Sequence, residues 1–596
     1  MFILYKMIKY FSNFKIINKN FKYIINMEQN KYINSTQNSN YHLLNGNNNK
    51  LDCKNLYLYE HLKPQKVLHQ INLTHKEIEI FEIIKSVLKK NSKNTICRVA
   101  GGWVRDKLLG KNSDDIDIAL DDMKGEELAK MINSELYPGQ DKYGIVEKNS
   151  EKSKHLETAT MIISGVSVDF VNLRSEKYTE TSRVPIVDIG TPEEDAMRRD
   201  ITINSMFYNI NEDRVEDFLG IGLEDLSNGY IRTPINPVDT FTDDPLRILR
   251  VIRFAVRFQF DMDAAIENSS RLPEIKAALY QKISNERIAK ELSLMLDGNK
   301  PQCAIYLIYK YKILDAVMKL PLSIYGSKNE ASYMATEEEK RDLNTSLNLT
   351  IVGSFLLEKL SNKSYPNTKF FLSDYFDPSL NPNKKIFFLS LMTLPFLKYS
   401  VKINKEILKA DAYIIRESLK LSNEYVRDIS VLSENLQILV DYVETGDFDR
   451  LSSAKLVRKI KSNYLHKLTA ISICYEYLIK VFRLEDNLLE YLDIEIFDKI
   501  CLKYEIWYKY LEVENLTKVD ELEPLFKGDM IRDIFQAKGK EIGILLESLI
   551  EKQISNPDLT KDEAISFLNK KREEFTDSFQ NVGKNSNKAN KIKNKK

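Results

Sequence analysis

Residues 98–120 read RVAGGWVRDKLLGKNSDDIDIAL, and the end of this stretch predicts a strand with two different faces. Because strand side chains alternate, Asp115 and Asp117 share one face while Ile116 and Ile118 point into the core. Two carboxylates about 7 Å apart along a strand repel each other unless a cation lies between them. Such pairs hold hard cations such as Mg²⁺, although an Asp-x-Asp pair alone is also typical of a solvated strand edge.

The first half of the same stretch predicts a glycine turn followed by a helix. A short apolar strand runs into Gly101-Gly102, a helix is predicted over 104–109, and Gly110 ends it. Backbone N–H groups at such a turn can approach a phosphate closely. The order of strand, glycine turn, helix and Asp-x-Asp is more specific than either motif by itself.

A third carboxylate follows in a predicted hairpin. Strands are predicted at about 157–163 and 166–173, joined by a Ser-Gly turn. Asp169 lies in the second strand with Arg174 just beyond it, and this carboxylate can reach the cation of the Asp-x-Asp pair. A purely structural surface role is an equally good interpretation of Asp169.

Two further clusters carry paired opposite charges. In RRDITINSM, residues 198–206, Arg199 and Asp200 are adjacent and Asn204 follows. Such a group can orient a ribose and a triphosphate, or it can simply cap a helix. In FTDDPLRILRVIRFAVRFQF, residues 241–260, an Asp-Pro pair predicts a helix start. The helix after it carries a stripe formed by Arg247, Arg250, Arg253 and Arg257, which is also typical of a basic surface.

Asp244 and Arg247 lie three residues apart at this helix start, so they are side by side. A carboxylate acceptor beside a guanidinium donor matches the hydrogen-bonding edge of cytosine or adenine. Uracil and guanine present a carbonyl and a ring N–H there, which would leave both protein groups badly paired. The pair therefore predicts a site that accepts C and A and rejects U and G.

Composition excludes several other classes of protein. The chain has 596 residues and a formal net charge of +1, with a mean hydropathy of −0.36. It has no run of about 18 apolar residues that could span a membrane. The five cysteines contain no CxxC pair and indicate neither a disulfide framework nor a zinc site. Any metal would therefore be held by carboxylates.

Residues 1–50 are excluded from the predicted folded part. There is no acidic residue before Glu28, and lysines alternate with apolar residues, which is typical of a mitochondrial targeting segment. A plain disordered leader is the alternative interpretation. A second start at Met27 would give a shorter product without this segment.

The second half of the chain is predicted to be helical. From about residue 241 the apolar pattern has the helical period, interrupted by predicted loops near 322–345 and 361–384. Residues 581–596 are rich in lysine and almost free of apolar residues, so they are predicted to be disordered.

Several motifs together resemble a known family. GGWVRDKLLG with DDIDIAL, RRDITINSM, DDPLRILR and ISNERIAKEL stand in the order of the motifs of class II tRNA nucleotidyltransferases, the CCA-adding enzymes of the polymerase β superfamily. The chain looks most similar to the eukaryotic members, and the resemblance covers about residues 75–300. It implies an α+β fold: a polymerase β-like head with a mixed sheet at 51–232, a helical neck at 233–300, and an all-helical, tRNA-binding body and tail at 301–580.

The resemblance also implies a role for individual residues. The expected groups are a catalytic, metal-binding pair, Asp115 and Asp117; a triphosphate segment, Gly101, Gly102 and Arg105; a ribose motif, Arg199, Asp200 and Asn204; a base-reading pair, Asp244 and Arg247; and supporting residues, Asp169, Arg174, Asp243, Arg250, Glu286 and Arg287. Asp169 and Asp243 stand where many members carry Glu. Glu286 and Arg287 match a motif that braces the nucleotide-binding helices.

The implied reaction is template-independent addition of C, C and A to the 3′ end of tRNA from CTP and ATP. Two Mg²⁺ ions would assist the transfer, and pyrophosphate would leave. The implied locations are the mitochondrion and cytoplasm, with the nucleus as a further compartment, and the implied state is a monomer or homodimer without a membrane partner. Alternatives are a related CC-adding, A-adding or poly(A) polymerase, a non-catalytic RNA-binding protein, and an Asp-x-Asp glycosyltransferase.

Overall fold

The computed structural model describes residues 50–573, with gaps at 65, 69, 114, 147–157, 180–181, 320–336, 362–381, 404 and 482–487. Apart from Lys50, the predicted leader lies outside the described residues, and so does the predicted basic segment 581–596. Lys50 itself was assigned to the leader but belongs to a strand.

The N-terminal part of the described chain is built on one mixed sheet. Its elements in chain order are β1 (Lys50–Asp52), α1 (Lys54–Tyr57), α2 (His75–Lys90), β2 (Cys97–Ala100), α3 (Gly102–Leu108), β3 (Ile116–Leu120), α4 (Gly125–Leu136), β4 (Tyr143–Val146), β5 (Thr158–Ile163), β6 (Val166–Asn172), β7 (Arg174–Thr179), β8 (Ser182–Ile189), α5 (Pro192–Met197), a 3-10 turn (Thr202–Asn204), β9 (Phe207–Asn209), β10 (Arg214–Glu216), α6 (Gly222–Asn228) and β11 (Tyr230–Ile231).

Seven of these strands form the sheet, in the order β10-β9-β2-β3-β6-β5-β4. The neighbours β3 and β6 run parallel, while the other neighbouring pairs are antiparallel. The predicted mixed sheet is therefore confirmed. The predicted strands near 97–100, 115–120, 157–163 and 166–173 correspond to β2, β3, β5 and β6.

The sequence HKEIEIFEIIKSVLKK, residues 75–90, predicts a helix from its apolar spacing, and α2 has these bounds. Thr74 and Glu77 form a reciprocal capping box at its start, in which each side chain accepts from the backbone N–H of the other residue. Trp103 is 2% exposed, donates its indole N–H to Oε1 of Glu77 at 2.9 Å, and packs against Phe81 and Tyr208. These contacts hold α3 against α2 and β9.

The rest of the described chain is mostly helical, as predicted. Its elements are α7 (Pro237–Asp243), α8 (Arg247–Phe258), β12 (Asp261–Met262), α9 (Ala264–Ser270), α10 (Pro273–Lys282), α11 (Asn285–Leu296), α12 (Pro301–Lys310), α13 (Leu314–Met318), α14 (Glu337–Ser361), α15 (Pro382–Thr393), a 3-10 turn (Leu394–Phe396), β13 (Ser400–Ile403), β14 (Glu406–Lys409), α16 (Ala410–Tyr413), a π turn (Ile414–Ser418), α17 (Asn423–Thr445), α18 (Arg450–Ile460), α19 (Ser462–Val481), β15 (Tyr491–Asp493), α20 (Ile494–Val513), a 3-10 turn (Val519–Glu521), α21 (Gly528–Phe535), α22 (Lys540–Ser555) and a helix at 561–573. The antiparallel hairpin β13–β14 shows that this half is not all helical.

Helix α14 corrects one predicted loop. Residues 337–345 were expected to lie in a loop but form the first turns of α14. Buried residues of this segment include Asp342 and Asn344, and such a polar composition resembles that of a loop. Tyr399 donates its hydroxyl to Oδ2 of Asp342 at 2.8 Å, and Tyr309 donates its hydroxyl to Oδ1 of Asn344. Hydrogen bonds from distant residues therefore allow the polar side chains of this helix to be buried.

The first described residues connect distant parts of the fold. Strand β1 pairs with β15, so it contacts the C-terminal half rather than the mixed sheet. Tyr57 stacks on Tyr306 of α12 with ring centroids 4.3 Å apart, and Tyr59 donates its hydroxyl to the carbonyl of Phe260 at 3.2 Å. We call residues 50–62 the N-terminal strap, because they run from the C-terminal half across the end of α8.

Candidate active site

The two predicted metal-binding carboxylates, Asp115 and Asp117, lie beside Asp169 of a neighbouring strand. Asp117 is in β3, Asp115 immediately precedes this strand, and Asp169 is in β6. The parallel register pairs Asp117 directly with Asp169. The structure therefore brings Asp169 to the Asp-x-Asp pair, as its position in the sequence suggested.

The electrostatics of Asp117 favour a bound cation. Burial and the charges of Asp115 and Asp169 raise the pKa of Asp117 to about 6, while Arg199 and Arg174 act in the opposite direction. A cation would relieve this repulsion, and an all-oxygen donor set suits a hard metal. Among the described residues no three His, Cys, Asp or Glu side chains are grouped closely enough to hold a metal ion by themselves. Water and phosphate oxygens would have to complete the coordination, which is the usual arrangement for Mg²⁺.

Gly101 has a different local role from the one its motif suggested. Its N–H donates to the carbonyl of Met206 at 3.0 Å, so it is used for pairing within the sheet. Its φ is +70°, and a Cβ there would lie 2.5 Å from Nη1 of Arg199. Only glycine therefore lets Arg199 lie against the turn. Gly102, in contrast, begins α3 and lines the cavity described below.

Arg105, expected to hold the triphosphate, is buried and tied to its neighbours. Its Nε donates to Oδ1 of Asp106 at 2.8 Å, and its Nη1 donates to Oδ1 of Asn204. Its guanidinium also lies over the rings of Phe254 and Phe258, at 5.1 and 4.9 Å from their centroids. Arg105 thus joins the glycine-turn helix α3, the ribose motif and α8.

Asp200 is held in its ionised form by α8. It is 6% exposed, and it accepts from Nε and Nη2 of Arg250, both at 2.8 Å, and from Nδ2 of Asn204 at 3.0 Å. Burial opposes ionisation, but Arg250 and Asn204 outweigh it and lower the pKa of Asp200 to about 2. The contact with Arg250 therefore holds the predicted ribose motif against α8, the helix that also carries the predicted base-reading residue Arg247.

The base-reading pair lies at the start of α8. Helix α8 begins at Arg247, two residues later than the Asp-Pro signature predicted, but Asp244 still caps the turn by accepting from the N–H of Leu246 at 3.2 Å. Oδ2 of Asp244 accepts from Nη2 of Arg287 at 2.7 Å. Nη2 of Arg247 donates to the carbonyl of Arg198 at 2.6 Å. Both groups are thus oriented by partners from other elements.

One cavity of about 1000 Å³ brings these groups together. Of the predicted site residues, those that line it are Gly102, Arg105, Asp115, Asp117, Asp169, Arg174, Arg199, Asp200, Asn204, Asp244, Arg247, Arg250 and Arg287. Its wall combines carboxylates of the mixed sheet with arginines of α8 and α11. A space of this size suits a nucleotide.

Three predicted site residues are not on the cavity wall. Gly101 lies behind Arg199, Asp243 ends α7, and Glu286 is exposed in the first turn of α11. The bracing expected of the Glu286–Arg287 motif is visible for Arg287 in its contact with Asp244. Glu286 lies outside the cavity.

Two buried acidic residues of the cavity wall were not predicted as site residues from the sequence. Asp195 accepts from the guanidinium groups of Arg198 and Arg199, and Glu291 accepts from Arg253 at 2.6 Å. Asp195 stands three and four residues before its partners, a spacing that places side chains together at a helix end. This signal was available for Asp195, but no local spacing links Glu291 to α8.

No helix in the described ranges is long and apolar enough to cross a membrane.

Residues 97–232 match the family model of the poly(A) polymerase head domain. The fold is also that of a solved apo CCA-adding enzyme, with a TM-score of 0.52 at 20% identity over 83% of this chain and 96% of that one.

Two yeast proteins are similar over most of their length. The mitochondrial CCA tRNA nucleotidyltransferase of Candida glabrata is 34% identical over 534 residues, which are 84% of this chain and 96% of that protein. The corresponding protein of Saccharomyces cerevisiae is 35% identical over 506 residues, 79% of this chain and 87% of that protein. With this similarity along most of both chains, the protein belongs to the family of CCA tRNA nucleotidyltransferases.

Proposed function

We propose that the protein adds C, C and A to the 3′ end of tRNA, using CTP and ATP and releasing pyrophosphate. The observation that carries this proposal is the shared cavity, which is lined both by Asp115 and Asp117 of the sheet edge and by Asp244 and Arg247 at the start of α8. The reacting phosphate and the base of one nucleotide would then contact separate groups of the protein. The relatives named for CCA addition support the same activity.

Base selection follows from Asp244 and Arg247. The carboxylate of Asp244 would accept from the amino group of cytosine or adenine, and Arg247 would donate to the adjacent ring nitrogen. Arg287 holds Asp244, and the carbonyl of Arg198 holds Arg247, so neither side chain has to be ordered when the base arrives. Discrimination against U and G then needs no nucleic-acid template.

The remaining groups position the sugar and phosphates. Asp200 and Asn204, which are fixed by Arg250 and Arg105 and line the same cavity, would contact the ribose. Asp115 and Asp117, with Asp169 beside them, would hold two Mg²⁺ ions. When bound, these ions would supply Lewis-acid stabilisation of the attacking 3′ hydroxyl and of the leaving pyrophosphate. Protein groups would mainly position and neutralise the reactants.

Extension of defined tRNA substrates tests the activity. tRNAs that end before the CCA, after one C and after both Cs are incubated with each NTP singly, and the product ends are sequenced. We expect two additions with CTP and one addition of A only on the CC end, with little use of UTP or GTP. Products ending only in CC, a single A on CC ends alone, or long A tails would instead identify one of the alternative polymerases.

A pair of variants tests the metal-binding carboxylates in the same assay. Asp117→Ala should abolish addition of both C and A, because both steps use the same carboxylates. Asp122→Ala is the matched control, since Asp122 is exposed in the turn after β3. Native rates in the Asp117→Ala protein would refute the assignment.

We also propose the division into a head at 51–232, a neck at 233–300 and a body and tail at 301–580.

The mitochondrial relatives support a mitochondrial location. A product started at Met27 would serve the cytoplasm and nucleus. Fusing residues 1–50 to a fluorescent protein tests the targeting segment, because a fusion that stays outside mitochondria would contradict it.

A further inference from the structure

The carboxylate of Asp195 accepts hydrogen bonds from three arginine residues at the cavity wall: from two side chains and one backbone N–H. Its Oδ1 accepts from Nε of Arg198 at 2.9 Å and from the backbone N–H of Arg174 at 3.2 Å. Its Oδ2 accepts from Nε and Nη2 of Arg199, at 3.1 and 2.8 Å. Asp195 is only 1% exposed, so these contacts are shielded from solvent.

The helix before the ribose motif fixes this carboxylate. Thr191 and Glu194 form a capping box at the start of α5, and Pro192 is its first residue. Burial opposes ionisation of Asp195, but Arg199 and Arg198 outweigh it and lower its pKa to about 2. Asp195 is therefore a fixed negative charge at physiological pH.

We propose that Asp195 is a positioning residue: it aims Arg198 and Arg199 at the triphosphate of the incoming nucleotide and keeps Arg199 from pairing with the metal-binding carboxylates. The inference rests on the proposed function, in which Asp115 and Asp117 bind the metal. Arg199 and Arg174 are already close enough to stabilise the charge of Asp117. The Arg199 guanidinium, once released from Asp195, would pair with these carboxylates and compete with the cation.

Two contacts show how the position of Arg199 is set. Its Nη1 donates to the carbonyl of Asn204 at 3.2 Å, and its guanidinium lies 5.1 Å from the ring centroid of Phe207. Asp195 takes the other side of the same guanidinium. Arg199 is therefore held on three sides and presents the remaining edge to the cavity.

Arg198 contacts both Asp195 and the base-reading helix, but through different groups. Its side chain is held by Asp195, while its carbonyl accepts from Arg247 at 2.6 Å. The base-reading arginine is attached to backbone rather than to the Asp195 carboxylate. Loss of Asp195 should therefore weaken nucleotide binding without changing the choice of base.

The test uses the full-length protein and measures binding without tRNA. Asp195→Asn keeps the side-chain shape but removes the charge. We expect its affinities for CTP and for Mn²⁺ alone to fall by about 10- to 100-fold, the usual effect of losing a partner behind a metal or ligand site. The ratio of CTP to UTP binding should stay at the wild-type value. Glu193→Gln is the matched control, because Glu193 is exposed in the same helix.

A double variant separates competition from general disruption. In Asp195→Asn combined with Arg199→Gln, no guanidinium remains at position 199 to occupy the carboxylates, so Mn²⁺ binding should recover while CTP binding stays weak. Wild-type CTP and Mn²⁺ affinities in Asp195→Asn, or failure of the double variant to recover Mn²⁺ binding, would overturn the proposal. Since neither measurement needs tRNA, failure of CCA addition itself would be seen separately.

A longer acid keeps the proposal testable if Asp195→Asn does not fold. Asp195→Glu retains the charge but moves it by one carbon. It should bind Mn²⁺ like the wild type, because the arginines stay neutralised, and bind CTP more weakly, because they are displaced. Wild-type CTP affinity in a folded Asp195→Glu protein would overturn the inference.

Discussion

Replacement of Asp200 by Asn should destabilise the head in a pH-dependent way. Asp200 has an ordinary pKa of 3.8 and a folded pKa of about 2. This difference corresponds to about 2 kcal/mol of folding free energy when the group is ionised in both states. Because the folded pKa is the lower one, the stabilisation is present above about pH 4 and is lost as the pH falls through about 2.

The asparagine variant cannot ionise, so it lacks this stabilisation at every pH. It also leaves Arg250 with Glu291 as its remaining carboxylate partner, 3.7 Å away. We therefore expect Asp200→Asn to lower the free energy of unfolding by at least about 2 kcal/mol at pH 7. The difference from the wild type should persist to about pH 4 and fall to about half near pH 3.

A local probe is needed, because a chain of this size does not unfold in a single step. The protein has two tryptophans, and Trp507 lies in α20, so Trp507→Phe leaves Trp103 as a fluorescent reporter of the head. Urea unfolding is followed through Trp103 from pH 7 to pH 3. Asp122→Asn is the exposed control and should leave the midpoint unchanged. A variant as stable as the wild type at pH 7, or a difference that is the same at pH 7 and pH 3, would refute the reasoning.

Three further predictions concern the cavity. Gly101→Ala should destabilise the head by about 1–3 kcal/mol because of the positive φ, and it should raise KM for CTP and ATP because the new Cβ displaces Arg199. Urea unfolding measures the first effect and initial rates measure the second; unchanged values would contradict the account of the turn. Arg287→Leu should reduce discrimination of CTP from UTP by about tenfold, because one oriented hydrogen bond is lost. Lys282→Leu, at the exposed end of α10, is the control and should leave discrimination unchanged. Competition assays with both nucleotides measure this, and unchanged selectivity in Arg287→Leu would show that Asp244 needs no brace. Removal of divalent cations with EDTA should abolish addition of both C and A, and excess Mg²⁺ should restore it; extension in the chelated enzyme would exclude a required metal.

Local patterns were sufficient for the elements that position the carboxylates. The alternation of Asp115 to Leu120 predicts β3 and its two faces, and the apolar period of 75–90 predicts α2 with its observed bounds. Asp169 was correctly placed on a strand, but its position opposite Asp117 depends on the β3–β6 register. That register is a long-range property, which strand spacing alone does not specify.

Other features depend on contacts between distant segments. The N–H of Gly101 is used by Met206 because β2 pairs with β9, and no local motif indicates this pairing. Glu291 meets Arg253 only because α11 packs on α8. The first turns of α14 could not be recognised as helical, because the hydrogen bonds to their buried polar side chains come from distant residues such as Tyr399. The sequence therefore predicts which residues line the cavity better than it predicts the contacts that hold them.

The N-terminal strap limits where the chain can be trimmed. Lys50 to Asp52 pair with Tyr491 to Asp493, and the backbone of Cys53 donates to the carbonyl of Glu490 at 2.9 Å. A processing peptidase that cuts anywhere before Lys50 would leave these bonds intact, and so would translation from Met27. A cut a few residues further on would remove an entire strand and expose the edge of its partner. Forms of the protein with different N-terminal ends can therefore share a single folded enzyme, provided that they all retain the strap.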